Sequence, residues 1–376
     1  NYMSRASAEI NLSAITQNFK SIKSRTTADV LAVVKADAYG HGLIPVSKAL
    51  EEAGADWFGT ALLEEAINLR KAGILKPIIS WLTPLGEDFK SAIDLDIDLG
   101  IPSIDLLNEV IKAASLTGKT ARIHLEIDTG MSRGGVLSEW DQLIKSVLVG
   151  VNLKQLKVIG IWSHFARADE PAEVMNQQQL SLFEEKVNQA KTAGIDAEFI
   201  HIANSAALFT NKGSHKSIIR SGIALFGLSP DIKTIGDSSS LGLKPAMKLK
   251  AKLNLVKDVS AGSSVGYGGT AVIKSDTKLG VVALGYADGI PRNTNNLAGV
   301  FVAKKRAPII GRVSMDQFVV DLGITSTAKT GDEVIVFGDG SSGEYTVDEW
   351  AKAANTINYE IITRIGPRVP RIYPRE

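Results

Sequence analysis

Leu31-Ala32-Val33-Val34-Lys35-Ala36-Asp37-Ala38-Tyr39-Gly40-His41-Gly42 is a run of β-forming apolar residues that stops at a lysine and passes into a glycine-bounded loop. An ammonium at the end of a buried strand is costly unless it is paired, neutralised or used chemically. Lys35 is therefore a candidate amine nucleophile or proton-transfer base. The plainer alternative is a lysine whose stem packs while its head reaches water.

Outward from this stretch the pattern repeats. Apolar runs at Val30–Lys35, Trp57–Ala61, Pro77–Leu82, Ile97–Ile101, Ala121–Asp128, Leu156–Phe165, Glu198–Asn204 and Ser217–Gly227 alternate with helical patterns such as Pro45–Ala53, Leu63–Ala72, Ile104–Leu116, Trp140–Val149 and Asn176–Ala193. Strand–helix alternation implies parallel strands. Eight units in this length predict a (β/α)8 TIM barrel over residues 12–240, with an open doubly wound sheet as the alternative. After Ser229-Pro230 a polar, Gly/Ser-rich linker leads into short alternating strands at Ala246–Val256, Thr270–Ile273, Leu279–Gly285, Val300–Val302, Pro308–Gly311, Gln317–Leu322 and Glu333–Phe337. These predict an all-β domain over 241–376, with residues 1–11 packing against it.

Composition narrows the function. The chain has 376 residues, 44% hydrophobic and 22% charged, with net charge +1. Near-neutral charge gives no reason to expect nucleic acid or a membrane surface as partner. No stretch approaches the roughly 18 apolar residues of a membrane span. The start, Asn1-Tyr2-Met3-Ser4-Arg5, lacks a signal-peptide apolar core, so a cytoplasmic location is expected. The absence of cysteine excludes disulfides, thiolate metal sites and cysteine nucleophiles.

Barrel chemistry gathers at the C-terminal strand ends. Ala121–Asp128 alternates strictly, so Arg122, His124, Glu126 and Asp128 share one face and suggest a charged network. Arg133, bracketed by Gly130 and Gly134-Gly135, is a candidate carboxylate clamp. His164 ends the sixth run. Ser205, with backbone N–H groups of Gly222 and Ile223, suits a phosphate in the position where barrels bind one. A lysine, a carboxylate clamp, a ring partner and a phosphate cradle together are what pyridoxal 5'-phosphate (PLP) requires.

The motifs Val34-Lys35-Ala36-Asp37-Ala38-Tyr39-Gly40-His41-Gly42, Asp128-Thr129-Gly130-Met131-Ser132-Arg133, Ser163-His164-Phe165-Ala166, Ala203-Asn204-Ser205-Ala206, Arg220-Ser221-Gly222-Ile223-Ala224, Gly266-Tyr267-Gly268, Leu284-Gly285-Tyr286-Ala287-Asp288-Gly289, Gly311-Arg312-Val313-Ser314-Met315-Asp316-Gln317 and Arg368-Val369-Pro370-Arg371 occur in this order. In them the chain resembles the alanine racemases, PLP enzymes of fold-type III, over essentially its whole length. The resemblance implies interconversion of L- and D-alanine, supplying D-alanine for peptidoglycan, by a homodimer with shared active sites. It implies that Lys35 carries PLP as a Schiff base and is one base, with Tyr267 from the partner subunit as the other. Tyr39, Asn204, Ser205, Gly222 and Ile223 would hold the phosphate end, His164 the ring, and Arg220 the pyridine nitrogen. Arg133, Met315, Tyr286 and Asp316 would meet the substrate. No metal is implied.

Three positions depart from that pattern. Glu126 stands where many members carry a carbamylated lysine that steadies the motif arginine, and it would supply the anion directly. Ser314 replaces a frequent cysteine. Pro367 stands where some members place a phosphate-contacting tyrosine. The rival readings are a racemase of another small amino acid such as serine, a PLP decarboxylase of the same fold type, and a non-catalytic PLP-binding protein. Those decarboxylases use a cysteine, which this chain lacks, and the non-catalytic proteins resemble the barrel alone.

Overall fold

The computed structural model describes residues 4–375. Residues 1–3, part of the N-terminal segment expected to pack with the second domain, lie outside the described residues. The chain forms two compact units.

The larger unit, residues 15–38 and 43–243, holds a closed barrel of eight strands. In order they are Asp29–Val33, Trp57–Thr60, Ile78–Ser80, Ile97–Ile101, Ala121–Glu126, Leu156–Trp162, Phe199–His201 and Ile218–Ser221. Each is parallel to the next, and the eighth closes on the first through Val30↔Ile219 and Leu31↔Arg220. The barrel, rather than the open sheet, is thus the observed architecture. Closure leaves no unpaired strand edge in the barrel. Helices such as Leu43–Ala53, Ile104–Thr117, Trp140–Asn152 and Val174–Ala193 cover the outside. Two of them end on glycines in the left-handed region, Gly118 (φ 67°) and Gly194 (φ 106°), which satisfy the last carbonyls without a Cβ clash.

The smaller unit comprises residues 4–14, 39–42 and 244–375. Its spine is the strand Met247–Val259, whose first half alternates buried and half-buried positions. Ala6–Ile10 pairs antiparallel with it, Ile10 opposite Met247, and Glu333–Phe337 pairs on its other edge. A register shift between Leu253 and Leu255 marks where the spine begins to pair with Thr277–Val282. Bulges of this kind bend a strand and let it serve two partners. Residues 39–42 join this unit because Arg371 Nε donates to Gly40 O (2.9 Å) and the Tyr373 hydroxyl donates to His41 O (2.8 Å).

The expected β-strand domain is the observed one, and it also carries two short helices, Val347–Ala353 and Asn358–Thr363. The first is announced by Thr346 and Glu349, which form a reciprocal capping box. Its length of seven residues is too short for helical periodicity to stand out.

Candidate active site

The first barrel strand ends at Val33, and Lys35 opens an unusual turn. Ala36, Asp37, Ala38 and Tyr39 all have φ between 52° and 56°, one turn of left-handed helix built from L-residues. Each such residue costs about 1–2 kcal/mol, so surrounding bonds must hold it. Glu65 Oε2 accepts from Ala36 N (2.7 Å) and Asp37 Oδ1 accepts from Leu43 N (2.8 Å). The turn fixes the direction in which Lys35 leaves the strand. Burial lowers the Lys35 pKa from the usual lysine range, and Arg133 and then Arg220 add to this while Glu65 opposes it. The shift is toward the neutral amine, which is the nucleophilic form.

The loop after the fifth strand carries Arg133. Asp128 Oδ1 accepts from Gly130 N (2.9 Å) and Ser132 N (3.1 Å), so Asp128 shapes the loop. Asp128 was expected in the inward-facing set, but the strand ends at Glu126. Beyond that point backbone turns, not pleating, set direction. A relay of polar side chains ties this loop to the sixth strand. Gln179 donates to Thr129 Oγ1 (3.1 Å) and to His164 O (3.0 Å), Thr129 and Ser163 hydroxyls meet at 2.8 Å, and Ser163 donates to Ile127 O (2.6 Å).

Glu126, Arg133, Ser163 and His164 line one small recess. Among the described residues no ion pair joins Glu126 to Arg133. The Glu126 carboxylate lies against Gly134, where a Cβ would come within 2.7 Å of Oε1. Burial pushes the Glu126 carboxyl up to about 7, with Arg220 and Arg133 pulling the other way.

Arg220 is buried at the end of the eighth strand. Its Nη2 donates to Ser163 O (2.8 Å), His164 Nδ1 (3.0 Å) and Ile202 O (3.2 Å), and its Nη1 donates to His201 Nδ1 (2.9 Å). Trp162 lies 5.0 Å from the guanidinium, ring to cation. Burial pulls the Arg220 pKa down to about 9, opposed by Glu126. His164 is held well below the usual imidazole range by burial, then by Arg220 and Arg133.

Ser205 opens the helix Ser205–Thr210. Asn204 is its cap, with Oδ1 accepting from Ala207 N (3.0 Å). The Gly222 N–H donates to Ser205 Oγ (2.9 Å). That occupies an acceptor position on Ser205 and leaves its O–H to donate to a ligand, while the Gly222 N–H itself is committed to the protein. Ile223 begins the following helical turn, Ile223–Phe226.

In the smaller unit Tyr267, Met315 and Asp316 line one cleft of about 430 Å³ with Gly266, Ser314 and Gln317. Tyr286 stands beside it, since Tyr286 N donates to Ser314 O (3.0 Å) and Ala287 N to Met315 O (2.9 Å). Tyr267 is 69% exposed. Tyr39 is buried and packs against Tyr359, ring centroids 6.2 Å apart.

Sequence models of the alanine racemase N-terminal and C-terminal domains match residues 10–230 and 246–373. The chain belongs to the alanine racemase family. An alanine racemase of Thermobifida fusca is 46% identical over 98% of each chain, and one of Salinispora arenicola is 43% identical over 100% of each. The crystal structure of alanine racemase from D-cycloserine-producing Streptomyces lavendulae superposes with a TM-score of 0.98, at 45% identity, over 100% of this chain and 98% of that one. The alanine racemase motifs quoted above thus fall into two sets. Lys35, Glu126, Arg133, His164, Ser205 and Arg220 lie in the barrel unit, and Tyr267, Tyr286, Met315 and Asp316 lie in the other.

Sequence reasoning overlooked Asp98, a buried carboxylate on the fourth strand that accepts from His124 and Arg122. An aspartate inside the apolar run Ile97-Asp98-Leu99 was the available signal. It also overlooked Asp288, buried beneath Arg5 and Arg368.

Proposed function

We propose that this protein is a PLP-dependent racemase that interconverts L- and D-alanine with Lys35 and Tyr267 as its two bases. The observation that carries the reading is the half-buried Lys35 amine, its pKa lowered by desolvation and then by Arg133, at the end of a barrel strand whose neighbours carry Arg220 and the Ser205 hydroxyl, the latter with an acceptor side filled by Gly222 N.

These residues suit the cofactor by their chemistry. A neutral lysine reacts with an aldehyde, a serine hydroxyl with its acceptor side filled donates to a phosphate, and an arginine can only donate to a ring nitrogen. Lys35, Ser205, His164 and Arg220 would hold the cofactor, with Tyr39, Asn204, Gly222 and Ile223 shaping the phosphate end. Bound PLP supplies an electron sink that acidifies the proton on the substrate's Cα.

The protein's own part is to orient the substrate and move that proton. Racemisation removes it from one face and returns it to the other, which two opposed bases do and one does not. Lys35 Nζ serves one face and the Tyr267 hydroxyl the other. Arg133 orients the substrate carboxylate, and Met315, Tyr286 and Asp316 border its approach. Arg220 carries a charge and no acceptor, so it leaves the ring nitrogen unprotonated and restrains side reactions such as transamination.

The exposure of Tyr267 in the single chain supports a homodimer in which it completes the partner's site. No helix among the described residues is long and apolar enough to cross a membrane, and the site presents only small-molecule chemistry. The test is to supply purified protein with PLP and record the cofactor absorbance, then racemisation of L- and D-alanine against L- and D-serine. Absence of cofactor absorbance would overturn the assignment, and faster serine turnover would move it to the serine racemase reading.

A further inference from the structure

We propose that Asp98 is a positioning residue for Arg220, acting through His124 and His201. The role presumes the Arg220–cofactor contact in the reading above.

The four side chains form an unbroken line inside the barrel. Asp98 Oδ2 is 2.9 Å from His124 Nε2, His124 Nδ1 is 3.0 Å from His201 Nε2, and His201 Nδ1 is 2.9 Å from Arg220 Nη1. Asp98, His124 and His201 are all 0% exposed.

Only one arrangement of hydrogens satisfies this line. A guanidinium has no acceptor, so His201 Nδ1 must accept. His201 then carries its proton on Nε2 and donates to His124 Nδ1. His124 in turn carries its proton on Nε2 and donates to Asp98. Both imidazoles are therefore neutral and share one tautomer, and every donor points away from Arg220 toward the carboxylate. Burial, Arg220 and His124 all lower the His201 pKa, in agreement with a neutral ring. Arg122 Nε donates to the other oxygen of Asp98 (2.5 Å), so the terminal charge is compensated at its far side.

The rings have little freedom to leave this line. Trp162 stacks on His201 with centroids 5.9 Å apart and an interplanar angle of 8°. Trp57 meets His124 edge-on at 5.6 Å. The opposite tautomer of either imidazole would set two N–H groups face to face, at His124–His201 or at His201–Arg220. Asp98 selects against it because a carboxylate only accepts. Its role is that of the outer partners that fix histidine tautomers around metal sites, here directed at a guanidinium.

The test uses the full-length chain loaded with PLP and nitrogen-15 NMR of the histidine rings. In the wild type, His124 and His201 are expected to remain neutral with the proton on Nε2 from pH 6 to 9. Asp98→Asn keeps the shape, but whichever way the amide turns, its NH2 faces a donor, either Arg122 Nε or His124 Nε2. It is expected to mix or invert the two tautomers, and to lower kcat about tenfold or more while KM changes less than about twofold. An imidazole protonated on Nδ1 in the wild type overturns the proposal, and that measurement needs no variant. So does an Asp98→Asn protein with unchanged tautomers or unchanged kcat. Failure of the wild type to racemise would instead strike the functional reading, since the tautomers are read independently of turnover.

Discussion

Gly160 on the sixth barrel strand makes room for His124 on the fifth. A Cβ on Gly160 would lie 2.5 Å from His124 Nδ1, the atom that faces His201. The bond between the two histidines therefore passes through space that only glycine leaves open.

Gly160→Ala is expected to destabilise the fold by about 1–3 kcal/mol, the usual range for overpacking. Urea unfolding followed by circular dichroism measures this. A variant as stable as the wild type, with the histidine tautomers unchanged, would show that the barrel relaxes around the added methyl.

Lys35 and Tyr267 separate cofactor attachment from proton transfer. Lys35→Ala should lose covalent attachment of PLP, read by mass spectrometry after borohydride reduction. Tyr267→Phe should retain attachment and lose racemisation by about 10²–10⁴-fold, the range for a missing general acid–base group. Retained racemisation in Tyr267→Phe would remove the tyrosine from its role.

Glu126 should make the cofactor-free protein's stability depend on pH. Burial raises its carboxyl to about 7 in the folded state. A raised carboxyl pKa means that the folded state binds the proton more tightly than the unfolded chain. Its contribution is present below the ordinary carboxylate range and is lost as pH rises through about 7. Glu126→Gln removes that loss. The variant should match the wild type near pH 4.5 and exceed it above pH 7 by on the order of 3 kcal/mol. Parallel stability curves for the two proteins would contradict this.

Asp288 should anchor the turn that carries Tyr286. Its carboxylate accepts from Arg5 Nη2 (2.6 Å), Arg368 Nε (2.9 Å) and Gly285 N (3.1 Å), and Arg368 also donates to Asp316 (2.8 Å). Burial pushes the Asp288 pKa up, but the Arg5 and Arg368 hydrogen bonds override it and leave it below the usual value. Its stabilisation is thus present above the ordinary carboxylate range and fades as pH falls below it. Asp288→Ala should cost about 1–3 kcal/mol at pH 7, the range for losing hydrogen bonds to charged groups, because the arginines left behind are partly exposed. The loss should shrink in acid. A loss that does not vary with pH would exclude the ion pair as its origin.

Much of the molecule was legible in the chain. Period-two and helical patterns, with turn residues between them, marked the barrel because backbone geometry imposes those periods locally. Arg133 stood out by the glycines around it and Arg220 through the motif resemblance. Lys35 and Ser205 stood out because each is a polar group where an apolar run ends, and desolvation makes such placements expensive. The alternation of Arg122, His124 and Glu126 pointed to a charged interior for the same reason. The helices near the C-terminus were missed because local contacts alone do not maintain so few turns.

Other features were settled only by folding. The left-handed turn at Ala36–Tyr39 runs against the intrinsic preference of every residue in it, and exists because Glu65, Leu43 and the buried strand hold it. The line from Asp98 to Arg220 joins the fourth, fifth, seventh and eighth strands, residues 122 positions apart at its ends, and no sequence spacing encodes it. The sequence by itself determined which residues could do chemistry, because that depends on side-chain type and on the cost of burying it. Which proton sits on which nitrogen was decided by tertiary structure, because a tautomer is chosen by the partner across the hydrogen bond and that partner comes from another strand.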